Sequence, residues 1–156
     1  MHPRPLPEHE RLLPLVGSWD VEIRHWSKPD EAPSKSRGFS VIEPLFGGLF
    51  LQERLEGLFG ESPFVTLGWY GYDPQPKRYQ SARIASTSAA RLDESGAWDD
   101  KQGAWVLESA PGAPGARTRT VLRVEGKDRL TLQRFALPAQ GEPWLSAELR
   151  YTRRNE

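Results

Sequence analysis

Residues 17–25 read Gly17-Ser-Trp-Asp-Val-Glu-Ile-Arg-His25. Trp19, Val21 and Ile23 alternate with Asp20, Glu22 and Arg24. A period of two places the apolar side chains on one face of an extended strand and the charged ones on the other. Upstream, Glu8 to Leu15 carries Leu12, Leu13 and Leu15 behind early acids. It is predicted to form one short helix, entered at Pro7 and stopped by Pro14 and Gly17. Downstream the chain reads as strand and turn. A polar loop over 28–36 precedes strands at 38–43, 49–55, 64–72 and 78–86, with turns at Gly47-Gly48, 57–63 and 73–76. Further strands are predicted near 88–94, 103–109, 117–125, 129–136 and 144–153, separated by breaks holding Gly96, Gly103, Gly126 and Gly141. About ten short strands joined by short turns predict an all-β, up-and-down antiparallel barrel, because closure removes exposed sheet edges. A barrel of this size can enclose one small ligand.

The composition narrows the function. A chain of 156 residues suits one domain, predicted over 8–154 with 1–7 as a tail. Lys and Arg number 21 and Asp and Glu number 21, so there is no basic excess for nucleic acid. With no Cys, disulfides, thiol catalysis and Cys-ligated zinc are excluded. Three scattered His do not make a metal site, and no cofactor is expected. No apolar run is long enough to span a membrane. The N-terminus lacks a secretory h-region, so the expected location is cytoplasmic. Arg outnumbers Lys 16 to 5, read as the codon bias of a GC-rich genome. No nucleophile elbow, phosphate loop or dinucleotide fingerprint is present.

Gly17-Ser18-Trp19 after a short helix resembles the Gly-x-Trp signature of calycins, the group of lipocalins and fatty-acid-binding proteins. A larger set covers nearly the whole chain. It comprises Leu12-x-x-Leu15-Val16-Gly17-Ser18-Trp19, Gly47-Gly48-x-Phe50-Leu51-Gln52-Glu53, Gly57, Pro63-Phe64, Gly68-x-x-Gly71-Tyr72-Asp73 and Leu149-x-Tyr151-x-Arg153. Together these resemble the bacterial family known as domain of unknown function 1579. The resemblance implies a single calycin-like barrel and no particular activity. It also implies that Trp19 plugs the closed end under a late Arg, Arg150 or Arg153. Family members tend to show a Trp-Ile-Asp-like segment where this chain has Arg83-Ile84-Ala85, which implies altered pocket chemistry if that strand lines the lumen. In the related nitrobindins the haem iron is held by a late His; no His follows His25 here, which disfavours that route.

Individual residues carry two readings each. His25 shares the face of Trp19 and stands near the open end, as a general base, a ligand contact or a rim His bonded to a neighbour. His2 and His9 are expected in solvent. Tyr70 and Tyr72 share a face opposite Trp69, so one side of that strand offers aromatics to a pocket or to ordinary core. If the leucine face of 49–55 points inward, Glu53 is a buried carboxylate needing Arg83 or Arg134 as partner. An inward Arg could instead take a ligand carboxylate. Asp93-Glu94 reads as turn acids.

The expected function is binding of a small, mostly apolar or aromatic molecule in the lumen, with Tyr70, Tyr72, Trp69, Arg83, Arg134 and His25 as contacts. The alternative is a barrel enzyme (isomerase, cyclase or hydrolase) with His25 or Glu53 as acid–base group and a raised carboxylate pKa. A homodimer through barrel faces is open.

Overall fold

The computed structural model describes residues 2–112 and 115–155. Ten strands follow in chain order: β1 (Gly17–His25), β2 (Ser34–Leu45), β3 (Phe50–Phe59), β4 (Ser62–Asp73), β5 (Arg78–Ala85), β6 (Ser88–Asp99), β7 (Ala104–Glu108), β8 (Arg117–Val124), β9 (Arg129–Leu137) and β10 (Trp144–Arg153). Each pairs antiparallel with its successor, and β10 pairs with β1, closing the barrel. In that closing seam Trp19 faces Arg153, Val21 faces Tyr151 and Ile23 faces Leu149. The predicted all-β, calycin-like up-and-down barrel with a short N-terminal helix is the fold observed.

Several boundaries differ from expectation. The helix α1 (Pro7–Glu10) is a single turn, and Leu13–Leu15 is a separate 3₁₀ turn. Pro14 supplies no N–H to continue an α-helical ladder. β2 begins at Ser34, inside the expected polar loop, because it extends along β1 to His25. The broad turn expected at 57–63 shrinks to Gly60 and Glu61, with β3 running out to Phe59. Gly96 breaks nothing; it lies within β6.

The interior is layered. At one end Leu12 and Leu15 from the N-terminal segment pack with Trp19, Tyr79 and Trp105 in the buried core. His9, expected in solvent, is buried there. Its Nδ1 accepts from the Leu6 N–H at 2.9 Å, leaving Nε2 to donate to the Tyr72 carbonyl at 3.1 Å. The Tyr79 hydroxyl donates to the Glu8 carbonyl at 2.8 Å, so the segment is pinned as a stopper. Trp19 lies under it with its indole N–H on the Leu15 carbonyl at 3.0 Å. Arg153, not Arg150, lies over the Trp19 ring at 4.2 Å. Gly17, at φ +147°, leaves the room: a Cβ there would run into the Arg153 guanidinium. A polar belt crosses the middle of the barrel, and an apolar collar surrounds the other, open end. No helix among the described residues is long and apolar enough to cross a membrane.

Candidate functional site

The belt begins at Glu53. Alternation along β3 puts Glu53 on the face of Leu51 and Leu55, and that face is buried. Its carboxylate accepts from Ser40 Oγ, Tyr151 Oη and Arg83 Nη2, each at 2.7 Å. Burial alone would raise its pKa. The Arg83 charge and the hydrogen bonds from Ser40, Tyr151 and Arg83 outweigh burial and leave the carboxyl below its ordinary value. The Tyr151 hydroxyl moves the other way, well above the usual phenol range, through burial first and then the Glu53 charge. Arg83 also donates to Tyr70 Oη at 2.8 Å and Thr66 Oγ1 at 3.3 Å. It lies flat against β4, where a Cβ on Gly68 would stand 2.8 Å from its Cζ. Burial works against its charge, but the surrounding Tyr70, Glu53 and Tyr151 oxygens hold its pKa above the ordinary arginine value.

A second cluster sits beside the first. Glu94 is buried, and its two oxygens accept from Thr120 Oγ1 at 2.7 Å and Thr118 Oγ1 at 2.9 Å. Arg134 Nε donates to Thr120 Oγ1 at 3.1 Å, while Arg134 Nη2 stands 3.9 Å from Glu94. Burial lowers the Arg134 pKa most, and the nearby Arg83 charge adds to it against the pull of Glu94.

These two arginines and Tyr151 bound a cavity of about 150 Å³ at the open end. Its walls are Ile23, Leu55, Phe64, Leu132 and Leu149, and its rim carries His25 and Phe59. The His25 ring meets the Phe59 ring edge-on at 5.7 Å between centroids. Larger hollows of about 450, 500 and 320 Å³ lie on the outer face, beside Trp69 and Asp93, beside Glu22 and Arg150, and beside Arg24 and Lys35 respectively. None of them gathers inward-pointing charge above an apolar wall, so the smaller lumen cavity is the candidate site.

The proposed residues distribute unevenly. His25, Arg83 and Arg134 line the cavity. Tyr70 is buried in the belt, bonded to Arg83. Tyr72 is at the stoppered end, 4.9 Å from the Tyr79 ring. Trp69 is corrected: it is on the outer face, donating to Gln52 Oε1 at 3.0 Å, because it alternates with the inward Gly68 and Tyr70. Glu53 does not line the cavity, and the raised carboxylate pKa expected of an acid–base group is not found there. Glu94, read as a turn acid, is corrected to an inward residue of β6. Its place on the same face as Leu92, Gly96 and Trp98 carried that signal. Tyr151, Thr118 and Thr120 were not proposed as site residues; they became visible only once β8 and β10 were known to face the same lumen as β3 and β6. Among the described residues no group of three or more His, Cys, Asp or Glu could hold a metal ion.

No curated protein matches the sequence. Among solved structures, Rv2717c from M. tuberculosis has a TM-score of 0.71 at 16% identity, covering 97% of this chain and 100% of that one. The S-type phycobiliprotein lyase CPES from Guillardia theta has a TM-score of 0.64 at 12% identity, covering 97% of this chain and 94% of that one. At these identities the likeness is one of fold. The model of the family described as protein of unknown function (DUF1579) matches residues 4–153, nearly the whole chain, and the chain belongs to that family.

Proposed function

We propose that the barrel binds a small, mostly apolar or aromatic organic molecule at the open end of its lumen. The observation that carries this reading is the cavity of about 150 Å³, with aliphatic and aromatic walls over a floor holding Arg83, Arg134 and Tyr151. Convergent polar groups beneath an apolar wall are the usual make-up of a small-molecule site. A dry cavity of about this size takes up a guest as large as benzene. A single ring or a short chain therefore fits inside, and a longer guest extends outward past His25 and Phe59.

The container-enzyme alternative draws less support. It needs a carboxylate near the substrate with a raised pKa, and Glu53 is shifted downward with both oxygens engaged. One titratable rim residue, His25, does not by itself make an acid–base pair.

A thermal-shift screen of a metabolite set, followed by native mass spectrometry of the hits, tests the reading. Leu149→Trp fills the cavity from its wall and serves as the blocked control. Compounds that bind the native chain one-to-one and raise its Tm are expected to lose that effect in the folded L149W variant. Hits that bind L149W equally well, or the absence of any hit, would overturn lumen binding.

A further inference from the structure

The two cavity arginines are not equivalent. Arg83 is spent on the protein: Nη2 serves Glu53 and Tyr70, and Nη1 serves Thr66. The Arg134 side chain is held at its Nε, which donates to Thr120 Oγ1 at 3.1 Å. Among the described residues its two terminal nitrogens meet no hydrogen-bond acceptor, since Glu94 at 3.9 Å is beyond bonding distance. The Glu94 carboxylate does not depend on Arg134 for hydrogen bonds, because Thr118 and Thr120 each serve one of its oxygens. Thr120 both donates to Glu94 and accepts from Arg134, which orients the guanidinium while leaving its fork open.

Resting on the lumen-binding reading above, we propose that Arg134 anchors an anionic head group. The guest is then a small monocarboxylate with an apolar or aromatic body, and Glu94 competes with it for the same guanidinium. A carboxylate matches the two N–H groups of a guanidinium edge and brings a single charge to the one guanidinium with free terminal nitrogens, which a neutral group of one acceptor does not. Away from the His25 rim, the walls Ile23, Leu55, Phe64, Leu132 and Leu149 offer no partner to a second charge, and Arg83, Thr66 and Tyr151 in the same lining are already bonded within the protein, so the site favours one acid group. Electrostatics point the same way: burial and the Arg83 charge both oppose the Arg134 cation, and Glu94, with smaller help from the Tyr70 and Tyr151 oxygens, does not fully offset them. An incoming anion relieves that imbalance, at the cost of repulsion from Glu94.

Titration by calorimetry at neutral pH, with benzoate against benzamide and hexanoate against hexanamide, tests the inference. Each amide keeps the body of its acid and removes the charge. Each acid is expected to bind about 10- to 100-fold tighter than its amide, the range of one charge-assisted hydrogen-bonded contact. Glu94→Gln is expected to tighten the acids several-fold and leave the amides unchanged. Arg134→Gln alone leaves Glu94 buried without a cation and can fail to fold. The paired variant E94Q/R134Q removes both charges together, and its folding is checked by circular dichroism. In it the preference for acid over amide is expected to vanish. Equal binding of acid and amide by the native chain, or a preference that survives in E94Q/R134Q, overturns the Arg134 anchor while lumen binding stands. If neither acid nor amide binds, the Arg134 anchor falls, and the metabolite screen with its L149W control decides lumen binding separately.

Discussion

Glu53 is completely buried, and its negative charge is tolerated because three donors, the Arg83 cation among them, surround it. Removing one partner of such a pair leaves the other uncompensated. Glu53→Ala is therefore expected to cost about 3–5 kcal/mol of stability, whereas E53Q/R83M, which removes both charges, is expected to recover most of it. Chemical denaturation of the three chains decides. The pH dependence has a definite sign. The folded-state pKa of Glu53 lies below its unfolded value of about 4.5, so the stabilisation is fully present above that pH and is lost as pH falls through the folded value. Urea midpoints between pH 7 and 3 are expected to fall more steeply for the native chain than for E53Q/R83M. On the alkaline side Tyr70 and Tyr151 are raised, chiefly by burial. Their contribution is present below about pH 10 and is lost as pH climbs toward the folded values. Phenolate absorbance is expected to show these two tyrosines ionising late, together with unfolding.

Among the elements, the seam between β1 and β10 is the one that local turns cannot supply. Its end is fastened by Arg153, which donates to the Val16 carbonyl at 2.7 Å, the Lys127 carbonyl at 3.1 Å and the Pro14 carbonyl at 3.2 Å, and also covers the Trp19 ring. One side chain thus ties the N-terminal segment, the β8–β9 turn and the last strand together. Arg153→Met keeps much of the apolar stem but loses the charge and the donors. It is expected to cost about 2–4 kcal/mol, with Arg153→Lys in between because an ammonium cannot serve three carbonyls in one plane. Gly17→Ala places a methyl against the same guanidinium at a φ that alanine rarely adopts, and about 1–3 kcal/mol is expected. Thermal unfolding monitored by tryptophan fluorescence reports both, since Trp19 is at the joint.

At the scale of the whole molecule, the two ends of the barrel have opposite roles. The N-terminal segment closes one end with Leu12 and Leu15, both essentially without solvent exposure. Full burial of a leucine is worth about 1.5–3 kcal/mol. Deletion of residues 2–15 is therefore expected to lower stability by roughly 3–6 kcal/mol and to expose Trp19, read as a red-shifted emission. If the deleted chain still folds, its binding of lumen ligands is expected to survive. The cavity lining comes from β1, β3, β4, β5, β9 and β10 at the opposite end, and none comes from the stopper.

The strand count, the antiparallel order and the inward face of β1 were legible in residues 17–25 and in the spacing of turns, because side-chain period and turn chemistry are local properties. The pairing of Glu53 with an inward arginine was legible as a need, since a carboxylate on a leucine face requires a cation. Which arginine answers it was not: Arg83 and Arg134 are 51 positions apart, and both face the lumen. That choice depends on strand register and on the space that Gly68 leaves. The assignment of Glu94 to the belt and of Trp69 to the outside likewise follows from pairing across the barrel. Alternation says that neighbours oppose each other, and only closure says which side is within. The volume of the cavity was decided last, by how far belt and stopper fill the lumen, a sum over side chains from all round the barrel that no local stretch of sequence contains.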